Sequence, residues 1–214
     1  MMGENSRSLR VAAADGRTLM VAQWGDLNGF PVFSLHGTPG SRFGRHYDES
    51  AYIEVGARVI TYDRPGYGGS DRHRGRRVVD CVSDVALIAD ALGVERFAVT
   101  GGSGGSSRRP TGRSWPSRRA RSRATDDHRG LPQRCVGHRR RHALHYQALG
   151  FDVGAIRIPT RIMSGLTDVL VPRQHGEWLA RNVPNSEVVI DEEAGHVSDS
   201  ARVSEHYRWL VEPT

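Results

Sequence analysis

Three short apolar runs, each halted by a glycine or polar turn, constrain this chain most: "PVFSLHG", "ARVITYD" and "RFAVTGG". Such runs do not alternate, so both of their faces need cover. That suits strands of a parallel sheet with helices on each side. An earlier stretch, "RTLMVAQWG", alternates and reads as a half-buried strand. Between the last two runs the spacing predicts a helix over Asp80–Leu92, with Val82, Val85, Ala86, Ala89 and Leu92 on one face. Asp80 is placed to cap its start and Gly93 to end it. Strand, helix, strand with short links implies an α/β fold with a mostly parallel central sheet and right-handed crossovers.

In such sheets chemistry gathers beyond the C-terminal ends of the strands. Three of those ends are rich in glycine: "HGTPGSR", "DRPGYGGSD" and "GGSGG". The last fits G-x-S-x-G after a strand, where a tight turn presents Ser103 above the sheet. A serine hydroxyl needs a base to take its proton, and the base needs a group to orient it. "GLTDVLVP" places Asp168 after the run "RIMSG", and "VVIDEEAGHVSD" places His196 after another strand. Each residue alone has a plainer reading: a Gly-Ser turn, a helix-capping aspartate, a loop histidine. All three at successive strand ends, in the order Ser, Asp, His, point to a nucleophilic triad.

These segments resemble the α/β-hydrolase family over roughly residues 10–105 and 148–212. "HGTPGSR" is similar to that family's oxyanion loop, "GGSGG" to its nucleophile elbow, "GLTDVLVP" and "EAGHVS" to its acid and histidine segments. The resemblance implies Ser103 as nucleophile, His196 as general base and Asp168 as its orienting carboxylate. It implies oxyanion donors from the backbone N–H groups of Gly104 and of Gly37 or Thr38. A serine at this position points to acyl transfer on esters, thioesters, amides or lactones, with a small-molecule acyl substrate and no cofactor or metal. "HGTPG" is similar to the loop of proline iminopeptidases, but one loop does not separate an aminopeptidase from an esterase.

Other residues read as structural. His36 supports its loop, and Asp63 and Arg64 form a pair near the site. Trp178 and Leu179 pack the helix after Asp168, and Val203, Tyr207, Leu210 and Val211 face the core from a final helix. His138, His142 and His145 have loose metal-like spacing but only Cys135 for company, so no zinc site is read there.

The segment 106–147 breaks the pattern. It holds twelve of the chain's 30 basic residues against two aspartates, so the formal charge of +6 is local and the remainder is mildly acidic. The fold implied above calls here for a long apolar helix behind the serine, then a further strand and a cap. Instead Pro110, Gly112 and Pro116 interrupt the first turns. An interior proline costs about 3 kcal/mol and a glycine about 1 kcal/mol. A basic arm and a disordered lid are two readings. The third, preferred here, is a compensated disruption of the reading frame with loss of most of the cap. All the basic residues are arginine and none is lysine, which fits a GC-rich gene read out of frame. The expected organisation is one α/β-hydrolase-like domain over 1–214, with halves at 10–105 and 148–214 around an irregular 106–147. Nucleic acid is not the expected partner, although the arginine block leaves that alternative open. Two cysteines, no apolar leader-like stretch and no apolar run near membrane-spanning length lead to the expectation of a cytoplasmic protein away from membranes.

Overall fold

The computed structural model describes residues 7–102, 151–171, 173–196 and 200–212. The expectations placed on 106–147 lie outside the described residues. Strands β1 (Ser8–Ala12), β2 (Thr18–Gly25), β3 (Phe30–Leu35), β4 (Ala57–Tyr62) and β5 (Ala98–Gly101) form one five-stranded sheet in the order β1-β2-β4-β3-β5. β3 runs parallel to both β4 and β5, as the apolar runs require. β1 and β2 add an antiparallel side, so the sheet is mixed. Strands β6 (Thr160–Gly165) and β7 (Ser186–Asp191) form a parallel pair. Among the described residues the helices are α1 (Ser50–Ile53), α2 (Cys81–Ala91), α3 (Arg173–Asn182) and α4 (Ser200–Val211), with short 3-10 turns at Val78–Asp80 and Val153–Ala155.

Side-chain alternation along β3 and β4 explains why these strands read as unbroken apolar runs. Phe33 and Ile60 face one side of the sheet, where Val85, Ile88 and Ala89 of α2 cover them. Val32 and Val59 face the other, where Tyr52 of α1 and Tyr207 and Leu210 of α4 close over them. The Phe33 and Phe97 rings meet edge to face at 4.8 Å. Val203 and Val211 pack around this second layer, so α4 presents the face its spacing predicts. Trp178 of α3 packs against Val153, Ile156 and Val183.

Helix α2 forms where expected but is rotated from the expected face. Asp84, Val85, Ile88 and Ala89 are buried, and Val82 is exposed. The cause is Asp84, whose carboxylate sits between Arg17 at 3.4 Å and Arg76 at 3.3 Å. Burial raises its pKa above the ordinary carboxylate value, against the pull of Arg76 and Arg17. Asp80 does not cap α2. Its Oδ2 accepts from the Arg77 backbone N–H at 2.7 Å and closes the preceding 3-10 turn. Gly93 ends the helix at φ +65°, with open space where a Cβ would point. Gly93→Ala is therefore expected to cost only the left-handed backbone penalty, about 1 kcal/mol, read as a shift in the urea midpoint at constant slope.

Candidate active site

The loop after β3 begins with His36, which is buried. Its Nδ1–H donates to the Gly37 carbonyl at 2.7 Å, and its Nε2 accepts from the Arg64 backbone N–H at 3.1 Å. One ring nitrogen must carry the proton and the other must not, so the imidazole is neutral with a fixed tautomer. Burial pushes its pKa down, helped by the charges of Arg64 and Arg76 and opposed by the Gly37 carbonyl and Asp63. His36 is thus a brace for the loop, and both of its nitrogens are engaged.

Asp63 and Arg64 do not pair with each other. Adjacent residues leaving a strand point to opposite sides. Asp63 is fully buried and accepts from the Arg42 backbone N–H at 2.6 Å, the Arg42 guanidinium at 2.5 Å and the Gly69 N–H at 2.9 Å. Arg64 turns the other way, donating from Nη2 to the Gly37 carbonyl at 3.1 Å and to Thr38 Oγ1 at 2.7 Å. Its guanidinium also lies 5.2 Å from the centre of the Tyr67 ring. The Gly37 carbonyl thus receives two donors from one side. In a trans peptide the following N–H points the opposite way, so the Thr38 N–H faces away from His36 and Arg64.

Asp168 and His196 come together at the ends of the paired strands β6 and β7. His196 Nδ1–H donates to Asp168 Oδ2 at 2.9 Å. The other carboxylate oxygen accepts from the Leu170 and Val171 N–H groups at 2.8 and 2.9 Å. Asp168 therefore combines a turn-forming role with an orienting one. The Val171 N–H, then His196 and the Leu170 N–H, hold its carboxyl below the usual carboxylate range. With the proton fixed on Nδ1, His196 keeps its lone pair at Nε2, the form a general base requires. The two turns are laced by backbone bonds: Leu166 N–H to the Asp191 carbonyl at 2.8 Å, and Thr167 N–H to the Ala194 carbonyl at 3.2 Å. The Thr167 hydroxyl donates to the same Ala194 carbonyl at 3.0 Å. Gly165 permits this approach, because a Cβ there would collide with the Ala194 and Gly195 backbone.

Ser103 and Gly104 stand two and three residues beyond the end of β5 and lie outside the described residues, as do Cys135, His138, His142 and His145. Among the described residues no three His, Cys, Asp or Glu side chains group as metal ligands, and no helix is long and apolar enough to cross a membrane. Sequence reasoning missed Arg42, Thr167 and Asp191. Arg42 closes the quoted "HGTPGSR" loop, but its partner Asp63 lies 21 residues on, as the partner of Thr167 lies 27 residues on, and Asp191 bonds to the turn that follows it.

A family model described as the alpha/beta hydrolase fold matches residues 31–107. A proline iminopeptidase of Xanthomonas citri is 35% identical over 99 residues. That match takes in 43% of this chain and 30% of the relative, so the chain spans less than a third of the length of the protein it matches. An esterase from Exiguobacterium antarcticum superposes with a TM-score of 0.64 at 19% identity, over 94% of this chain and 97% of that one. A hydrolase from Pseudomonas aeruginosa PA01 gives 0.66 at 17% identity, over 97% and 98%. By sheet order and superposition the chain has the α/β-hydrolase fold, and its residues 31–107 match that family's model.

Proposed function

We propose that this chain is organised for serine-dependent hydrolysis of an ester or amide bond in a small molecule, through an acyl-enzyme, without metal or cofactor and in the cytoplasm. The observation that carries the reading is the 2.9 Å bond from His196 Nδ1–H to Asp168 Oδ2. That bond leaves Nε2 as the base, and a base in this tautomer serves a hydroxyl nucleophile. Ser103, two residues beyond the end of β5, is the hydroxyl assigned to it. Its oxygen attacks the carbonyl carbon while His196 takes the proton and then returns it to the leaving group. Water repeats the sequence to release the acid. The Gly104 N–H and, of the two candidates in the β3 loop, the Thr38 N–H stabilise the oxyanion. The Gly37 carbonyl, tied back to His36 and Arg64, fixes the direction of the Thr38 N–H. One such donor contributes about 2.7–4 kcal/mol to the transition state.

The rate is expected to be low. A strained serine turn stores about 1–3 kcal/mol and depends on the packing behind it. Pro110, Gly112, Pro116 and the arginines of 106–147 offer that packing no apolar stripe. The same twelve arginines favour one second reading, a non-catalytic hydrolase remnant whose basic segment binds nucleic acid or an acidic partner. A fluorophosphonate probe on the full chain decides between them. Slow labelling that disappears in Ser103→Ala is the expected result. Labelling unchanged in Ser103→Ala overturns the assignment of the nucleophile, and fast labelling overturns the impairment. No labelling, with a salt-sensitive shift of nucleic acid lost on deleting 106–147, establishes the remnant.

A further inference from the structure

We propose that Asp191 is the positioning residue that holds His196 in register with Asp168. The proposal rests on the catalytic reading of that pair given above. His196 lies on the connection between the end of β7 and the start of α4, and Asp191 grips that connection at both ends. Its Oδ1 accepts from the backbone N–H groups of Glu193 and Ala194, each at 3.1 Å, which folds the upstream arm into a turn. Its Oδ2 lies 3.3 Å from Nε of Arg202, in the first turn of α4, which ties the end of β7 to the start of that helix. Arg202 Nη1 also meets Glu205 Oε2 at 3.3 Å, so the guanidinium is directed by two carboxylates.

The same residue joins the histidine turn to the acid turn. The Asp191 carbonyl accepts from Leu166 N–H, and the Ala194 carbonyl, set by the Asp191 carboxylate, accepts from the N–H and hydroxyl of Thr167. Asp168 is the next residue. The Asp191 carboxylate, by holding the turn that carries the Ala194 carbonyl, therefore fixes the spacing between the imidazole and its partner while touching neither. Asp191 is 9% exposed, so water competes poorly for its oxygens. Groups that act by orienting a catalytic side chain leave its chemistry intact but change how long it is held in place.

The experiment reads the His196 tautomer by long-range 1H–15N correlation in the full, 15N-labelled chain, with the resonance assigned by its disappearance in His196→Gln. A free neutral imidazole favours the proton on Nε2, whereas the bond to Asp168 requires it on Nδ1. The unaltered chain is expected to show the Nδ1–H form as the dominant species. Asp191→Ala is expected to lose that dominance while keeping cooperative unfolding. Asp191→Asn, which retains an oxygen for the Glu193 and Ala194 N–H groups, is expected to recover part of it. Arg202→Met frees only the start of α4 and is expected to lose part of it, and it decides the matter if Asp191→Ala fails to fold. A folded Asp191→Ala chain, or an Arg202→Met chain, with the tautomer unchanged overturns the proposal. An unaltered chain in the Nε2–H form overturns the Asp168–His196 pairing and this proposal with it. An Nδ1–H signal without phosphonate labelling overturns only the role of Ser103.

Discussion

Asp63→Ala is expected to remove about 3–5 kcal/mol of stability, the cost of leaving a buried charge without its partner. Asp63 closes two loops at the end of β4. It receives the backbone N–H and guanidinium of Arg42 from one loop and the Gly69 N–H from the other. Alanine would strand three donors at once, one of them a guanidinium whose side chain is only 16% exposed. Against a total stability of about 5–15 kcal/mol, that loss leaves the chain marginal or unfolded. The reverse deletion is expected to be milder. In Arg42→Met the carboxylate keeps both backbone N–H groups, and the methionine stem still fills the space beside Phe43, whose ring lies 4.3 Å from the guanidinium. The measurement is urea unfolding of both variants, with the Asp63→Ala midpoint falling well below that of Arg42→Met at equal slope. Equal losses would show that the bridge, rather than the stranded donors, carries the effect.

The same residue shows where sequence reasoning reaches and where it stops. That "ARVITYD" forms a strand covered on both faces is legible, because alternating burial of Val59 and Ile60 in two different layers leaves an unbroken apolar run. That Asp63 pairs with Arg42 is not, because the partner comes from another loop, and a neighbouring arginine in sequence is no guide to direction. Helix α2 repeats the lesson. Its length and its Gly93 stop are written in the chain, but its rotation is set by Arg17 and Arg76, which draw a polar residue into the core face. β1 is hidden for a different reason. It pairs with β2 alone and buries only Val11, so it carries little periodic signal. At the site, Asp168 and His196 stand out because each follows a strand in a glycine-marked turn, and the backbone crossing demands glycine at Gly165. Thr167 and Asp191, which hold those turns together, look in sequence like any polar loop residues.

Acid is expected to destabilise the fold through a histidine outside the proposed triad. His206 of α4 is buried against β5, where its Nε2 and Thr100 Oγ1 share a hydrogen bond of 2.8 Å. Burial, and then the nearby Arg161 charge, lower its pKa to about 4, with Glu205 pulling weakly the other way. The unfolded chain titrates this imidazole near pH 6.5. Between those values the unfolded state binds a proton that the native state refuses, so stability rises with pH across that window. The contribution is complete above about pH 6.5 and is lost as pH falls toward 4, a difference of about 3 kcal/mol. Asp84 acts in the opposite sense, because its raised pKa favours the native state in acid. The His206 contribution is therefore read against a variant rather than from the total slope. His206→Gln keeps a side-chain amide to meet Thr100 and removes the titration. Urea midpoints measured from pH 7.5 down to 4.5 should fall steeply for the unaltered chain and less steeply for His206→Gln, in which buried His36 still contributes a slope of the same sign. Parallel slopes would mean that His206 accepts its proton in place, with α4 still packed on β5.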